Sequence, residues 1–400
     1  MTSPTQRPQL ALIGISGYGR VHLQLARECR ERGEVDIVAV TVINPQDEQE
    51  NIAALKADGC RIFSDYTEML REFRGRIDLC LIPTGIHWHA RMTIAALEAG
   101  ANVLVEKPLA GSSAEVAAIR AVEQRAGRFV AVGFQDYYEP GTTWLQGELH
   151  RGAIGDIQSV RVLGLWPRDR SYFLRNNWAG RLQVGGVPVY DSPLNNAFAH
   201  FVMLSLFFVG ADTPAMPVAL DGVELLRAHA IESFDTCVVT GHTPKGVRLW
   251  FGTSHSCRET VEPEIRITGS AGEACWSYES EAWWRGPDGT TERRQLLDAY
   301  GARRAMITAA LRRLRDAKVP VCTTAMAGQH TALIEAVHRA TPITALPADQ
   351  VQWAGPNGAA SAGPDVPGLV VAMRRAFAEE KLLSACGFSA AGLREQGAKK

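Results

Sequence analysis

Leu10-Ala-Leu-Ile-Gly-Ile-Ser-Gly-Tyr-Gly19 runs from an apolar segment directly into Gly14, Gly17 and Gly19. Leu10 to Ile15 has the composition of a buried strand. Val21, Leu25 and Cys29 then share one face of a helix. The order is strand, glycine turn, helix. Laid on the pattern G-x-G-x-x-G, the stretch keeps the first and third glycines and places Ser16 in the middle, with Gly17 adding backbone freedom. Such a turn lets backbone N–H groups and a helix N-terminus approach a pyrophosphate, so a dinucleotide site is expected at Gly14, Ser16, Gly17, Tyr18, Gly19 and Arg20.

The alternation continues outward. Strands are expected at 36–43, 61–63, 77–82, 103–105 and 129–134. Helices lie between them at 49–57, from Asp65, at 89–99 ending on Gly100, and from the capping box Ser112-Ser-Ala-Glu115. Strands alternating with helices specify a doubly wound parallel sheet, and this first domain is placed at 1–134. The rhythm then changes. A helix near 142–150 and a long strand at 156–166 precede an Arg/aromatic loop and a helix at 195–209. Consecutive strands follow through 223–285, with helices near 299–316, 325–339 and 368–384. Residues 135–400 are therefore read as a second α/β domain with an open, mostly antiparallel sheet, whose last helix, 368–384, is expected to pack back on the first domain. A chain of 400 residues exceeds one ordinary core, which agrees with two domains.

Bulk composition narrows the function. The chain is 46% hydrophobic with a net charge of -1 and has no Lys/Arg block, so neither nucleic acid nor anionic membrane is an expected partner. The apolar run after the polar N-terminus is too short for a signal-peptide core, and the run 198–209 is too short for a membrane span. Eight cysteines never fall in Cys-x-x-Cys spacing, as expected of reduced, buried thiols in a cytoplasmic protein.

Polar residues cluster where the first-domain strands end, the edge at which open α/β sheets bind ligands. The second strand ends Val40-Thr-Val-Ile-Asn44, with neither a carboxylate for the ribose hydroxyls of NAD nor an arginine for the 2′-phosphate of NADP. Both cofactors stay open, with Asn44 as the polar candidate. The fourth strand leads into Pro83-Thr84-Gly85-Ile86-His87-Trp88-His89. Two histidines without a cysteine or carboxylate do not make a metal site, and His89 suits a helix start under a cofactor. The fifth ends in Glu106-Lys107-Pro108, where the neighbours restrain the backbone and the strand end presents the amine.

These three runs, Gly14 to His22, Ile82 to His89 and Ala99 to Ala110, resemble the N-terminal half of the Gfo/Idh/MocA oxidoreductases, the glucose-fructose oxidoreductase and inositol dehydrogenase family, whose signature is Glu-Lys-Pro. The resemblance implies a Rossmann domain binding NAD or NADP through the turn, Asn44, Pro83, Thr84, His87, His89 and Glu106. It also implies a cis peptide before Pro108 and a Lys107 that faces nicotinamide and substrate. It further implies an Asp-x-x-x-His pair on a second-domain helix, matched here by Asn196 and His200, with Asn196 a departure from aspartate and Asp191 close in sequence. An asparagine gives an imidazolium less support than an aspartate does.

The loop Trp166 to Arg181, with Asn176, Trp178 and Arg181 as leading members, is read either as a clamp over a carboxylate, phosphate or sugar, or as a subunit interface. The expected activity is hydride transfer between nicotinamide and a secondary alcohol of a sugar, polyol or sugar acid. His200 acts as proton acceptor, Lys107 holds the oxygen and Asn196 positions substrate or imidazole. Two alternatives are an NAD-retaining lyase or glycosidase working through transient oxidation, and a nucleotide-sensing regulator. The resemblance implies a homodimer or homotetramer.

Overall fold

The computed structural model describes residues 7–210, 218–355 and 359–388; residues 1–6 and part of the connection before the last helix lie outside it. The chain forms two compact units.

In the first unit, β1 (Gln9–Ile13), β2 (Asp36–Thr41), β3 (Arg61–Phe63), β4 (Leu79–Ile82), β5 (Asn102–Val105) and β6 (Val130–Val132) make one sheet in the order β3-β2-β1-β4-β5-β6. Every neighbouring pair is parallel. The helices α1 (Gly19–Glu31), α2 (Gln49–Ala57), α3 (Tyr66–Glu72), α4 (Ile86–Glu98) and α5 (Ser113–Ala126) connect them. β4 and β5 are buried at every residue, as expected of parallel strands with both faces covered. Local signals set the helix ends. The Asp65 carboxylate accepts the N–H groups of Thr67 and Glu68, Ser112 Oγ accepts that of Glu115, and Gly127 closes α5 with φ 62°. This is the doubly wound parallel sheet expected from the sequence.

A later segment completes this unit, which includes 299–328 as well as the N-terminal residues. In it, Gln24 Nε2 donates to the Tyr300 hydroxyl at 3.0 Å, Arg303 Nε donates to the Tyr18 hydroxyl at 3.0 Å, and the Val132 N–H donates to the Cys322 carbonyl at 2.9 Å. Sequence order alone does not show such a return.

In the second unit, α6 (Pro140–His150), β7 (Ile157–Leu165), the short α7 (Arg170–Leu174), a hairpin of β8 (Gln183–Val184) with β9 (Val187–Pro188), and α8 (Ala199–Phe208) precede a run of strands. These are β10 (Ala219–Arg227), β11 (Thr236–His242), β12 (Arg248–Ser254), β13 (Val261–Gly269), β14 (Glu273–Ser277), β15 (Glu281–Arg285) and β16 (Thr291–Gln295). With β17 (Thr344–Ala345) they form a nine-stranded sheet ordered β16-β15-β14-β13-β7-β12-β11-β10-β17. Only the β7–β12 and β10–β17 pairs are parallel, so the sheet is mostly antiparallel, as expected. At Gly164 a Cβ would stand 2.5 Å from the Phe198 ring, so this glycine lets the residue before α8 lie flat on β7.

The helix expected at 368–384 spans Leu369–Glu379 and belongs to this second unit, correcting the expectation that it packs on the first domain. Its buried face, Leu369, Ala372, Met373 and Ala376, shares a core with Leu163, Leu165, Val238 and Trp250. Arg161 and Trp250 also hydrogen-bond the carbonyls of Phe377 and Lys381. An apolar stripe needs a partner face, and this sheet supplies it. All eight cysteines are buried and none is in a disulfide. No helix among the described residues is long and apolar enough to cross a membrane.

Candidate active site

The strand order of the first unit reverses between β1 and β4, and the loops leaving β1, β4 and β5 meet beside that point. After β1, Gly14 has φ 93° and Gly17 has φ 56°, both left-handed conformations that favour glycine. A Cβ on Gly19 would stand 2.7 Å from the Gly14 carbonyl oxygen and 3.6 Å from Pro83, so a side chain at Gly19 is excluded by backbone. Beyond Gly17, by contrast, a Cβ would meet no atom within 4 Å. The N-terminus of α1 carries no side-chain cap and no acidic residue in its first turn. With no side-chain cap and no carboxylate in the first turn, the positive dipole end and the open space above Gly17 fit a pyrophosphate. Gly14, Ser16, Gly17, Tyr18 and Gly19 are thus suited to hold a dinucleotide. Replacing Gly19 by alanine is expected to weaken NADH binding by about tenfold or more, read by fluorescence titration. An unchanged dissociation constant would remove the turn from the cofactor site.

At the end of β2 the structure adds what the strand sequence lacks. Ser16 Oγ donates to Asn44 Oδ1 at 2.9 Å, and Asn44 Nδ2 donates to Asp47 Oδ2 at 3.0 Å. Arg20 Nε donates to the buried Glu48 carboxylate at 2.9 Å, so this cation is already paired. The strand itself ends without a carboxylate, as expected, but the turn after it adds one. The 3-10 turn Pro45–Asp47 folds Asp47 back to Asn44.

At the end of β4, Pro83 lies against the turn and the Thr84 methyl is the nearest neighbour of the Gly14 Cβ position, at 3.5 Å. α4 begins at Ile86, so His87 and His89 both fall in its first turn. His89 is 1% exposed, with Nδ1 2.7 Å from the Pro108 carbonyl and Nε2 3.0 Å from that of Thr84. Burial lowers its pKa, and a neutral ring has one N–H, which we assign to the shorter contact. His89 thereby ties the first turn of α4 to the residue after Lys107. His87 is partly exposed and its pKa is lowered by burial and by Arg91.

Lys107 follows β5, and the Lys107–Pro108 peptide is cis, as the resemblance implies. Every residue from Ala101 to Gly111 is buried except Lys107. Its backbone is held on both sides, since the Glu106 N–H donates to Ile82 and the Gly133 N–H to Val105. The Glu106 carboxylate turns inward to His22 rather than outward.

In the second unit α8 begins at Ala199, later than expected. The chain from Ser192 to Phe198 makes successive turns, with the Asn195 and Asn196 N–H groups donating to Ser192 O and that of Phe198 to Pro193 O. Asn196 and His200 therefore do not share a helix face. Asn196 instead donates Nδ2 to Asp191 Oδ1 at 2.8 Å, and Asp191 Oδ2 accepts the Gly180 N–H at 2.6 Å. The buried carboxylate beside Asn196 is thus Asp191, at 3% exposure. From Phe198 to Val209 only His200 is not buried.

The Arg/aromatic loop is largely self-satisfied. Asn176 Oδ1 accepts the N–H groups of Trp178 and Ala179, and Arg181 pairs with Glu232 at 2.8 Å, so both have structural bonds that the clamp reading did not anticipate. Arg175 lies 3.6 Å from the Tyr172 ring centroid and 5.4 Å from that of Trp178. Tyr172, part of the expected clamp loop though not one of its leading members, brings its hydroxyl 3.4 Å from Asn196 Nδ2, and burial raises its pKa.

A family model described as an oxidoreductase family with an NAD-binding Rossmann fold matches residues 9–134. The inositol 2-dehydrogenase of Pseudomonas fluorescens is 30% identical over 269 residues, 66% of this chain and 72% of that protein. The chain belongs to the Gfo/Idh/MocA oxidoreductase family. An inositol 2-dehydrogenase of Saccharopolyspora erythraea is 32% identical over a shorter span, 36% of this chain and 42% of that relative. Solved structures extend the fold likeness to most of the Gfo/Idh/MocA chain. The WlbA dehydrogenase from Bordetella pertussis, in complex with NADH and UDP-GlcNAcA, has a TM-score of 0.69 at 20% identity, covering 84% of this chain and 96% of that one. KijD10, a 3-ketoreductase from Actinomadura kijaniata in complex with NADP, has a TM-score of 0.66 at 17% identity, covering 86% and 100%.

Proposed function

We propose that this protein catalyses reversible hydride transfer between nicotinamide and the carbinol carbon of a sugar, polyol or sugar derivative. The observation that carries the reading is Lys107, the one residue of the buried run 101–111 left open at the edge where the glycine turn ends. The nicotinamide, when bound, supplies the hydride acceptor or donor. Lys107 hydrogen-bonds the substrate oxygen and stabilises the negative charge that develops there. His200 accepts the hydroxyl proton in oxidation and returns it in reduction. The hydrogen-bonded pair Asp191 and Asn196 orients substrate hydroxyls, with Trp178 and Arg181 at the loop that borders them in sequence. The acidic end of β2, with Arg20 already paired to Glu48, supports NAD over NADP because a 2′-phosphate would meet carboxylate there. Soluble small molecules are the expected partners, and self-association to a dimer or tetramer accompanies the family reading.

The test is a panel of inositols, sugars and sugar acids with NAD and with NADP, following reduced-cofactor absorbance alongside product analysis. Stoichiometric ketone and reduced cofactor, faster with NAD, are expected. Bond cleavage without net reduced cofactor would replace this reading with a transient-oxidation lyase, and no turnover anywhere on the panel would favour a regulator.

A further inference from the structure

His22 is 1% exposed and Glu106 5% exposed, and both stand apart from the residues assigned to the hydride transfer itself. His22 Nε2 lies 2.8 Å from Glu106 Oε1, while Glu106 Oε2 accepts the Lys107 backbone N–H at 3.2 Å. His22 Nδ1 meets no hydrogen-bond partner among the described residues, so Nε2 is the nitrogen we assign the proton, donating to the carboxylate. The geometry points to His22 and Glu106 as positioning residues for Lys107, a buried hydrogen-bonded bridge from the first turns of α1 to the backbone of the lysine. The inference rests on the reading of Lys107 as the residue that holds the substrate oxygen.

Three further contacts leave the bridge little freedom. At Gly133 a Cβ would stand 2.8 Å from Glu106 Oε1 and 3.1 Å from Glu106 Cα, so the strand beside it closes over the carboxylate with no side chain between. Glu106 is also pinned by its own N–H to the Ile82 carbonyl at 3.1 Å. On the other side the Tyr18 ring meets the His22 ring edge-on at 5.7 Å, and the Tyr18 hydroxyl accepts from Arg303 Nε at 3.0 Å. Tyr18 belongs to the glycine turn. The turn that suits the dinucleotide and the backbone that carries Lys107 are thus joined through two buried polar side chains. A carboxylate this buried needs every lone pair directed at a donor, which makes its orientation well defined. A lysine with four rotatable bonds needs its backbone fixed if its ammonium is to meet one oxygen.

The experiment is a double-mutant cycle read as kcat, substrate KM and NADH dissociation constant. Glu106→Gln keeps the shape but places an N–H₂ against either the His22 N–H or the Lys107 N–H. It is expected to lower kcat tenfold or more, with KM and NADH affinity changed less than threefold. In a Lys107→Met background the same substitution is expected to change the residual kcat less than twofold, because its effect passes through the lysine. His22→Gln, which retains an N–H donor, should fall between wild type and Glu106→Gln, and it carries the same cycle if Glu106→Gln fails to fold. A loss of kcat as large with Lys107 absent as with it present would overturn the inference, as would a kcat within twofold of wild type in the single variants. If Lys107→Met alone leaves kcat unchanged, the reading of Lys107 fails instead.

Discussion

Replacing Lys107 by methionine is expected to lower kcat by about 10²- to 10³-fold, the effect of deleting one preorganised donor to a developing oxyanion. NADH affinity should stay within a few-fold. Methionine keeps the length and apolar stem of lysine while removing the ammonium, so the comparison isolates the charge. The backbone bonds that hold this position, from Glu106 N–H to Ile82 and from Gly133 N–H to Val105, do not involve the side chain. The strand end should therefore survive the substitution. The buried run around Lys107 has one opening to solvent, and the lysine occupies it. Steady-state kinetics with the best alcohol of the panel, together with an NADH titration, measure both quantities. Unchanged turnover would mean that the residue merely closes a strand.

The second large effect is expected at His200. Substitution by alanine should lower kcat by about 10²- to 10⁴-fold, the range for losing a general base. Thermal stability should change little, because α8 is anchored by Ala199 and the buried run Phe201 to Phe208, whereas His200 is the partly exposed member. The expected signature separates base from scaffold. A base defect eases as pH rises, since hydroxide and solvent take over proton removal, so the ratio of wild-type to variant kcat should narrow at alkaline pH. A uniform loss across pH, accompanied by a lower melting temperature, would make His200 a packing residue instead.

Much of the first unit was legible because its signals are local. Glycines at Gly14, Gly17 and Gly19, capping residues at Asp65 and Ser112, and uninterrupted apolar strands each constrain the chain within a few residues. The second sheet was legible in kind for a similar reason. Its last strand, Thr291–Gln295, lies beyond the expected run because it is exposed at every residue and has no apolar alternation to show. What failed was information carried by turns and by distant segments. Pro193 and the bonds to Ser192 delay α8, which moves Asn196 off the helix face of His200 and into the reach of Asp191. The turn Pro45–Asp47 returns Asp47 to Asn44, although the strand itself ends without a carboxylate. Partners such as Glu232 for Arg181 and His22 for Glu106 lie 51 and 84 positions away, beyond any spacing rule. Spacing places residue types at an edge; long-range hydrogen bonds then decide which of them are already taken.

Hydride transfer itself is tested most directly with an isotope. The alcohol that turns over fastest on the panel is prepared with deuterium on its carbinol carbon, and the cofactor isolated after turnover is analysed by mass spectrometry. One deuterium is expected in each reduced nicotinamide, equal in amount to the ketone formed. Product formation with no deuterium in reduced cofactor, or with the label retained on a cleaved product, would contradict it.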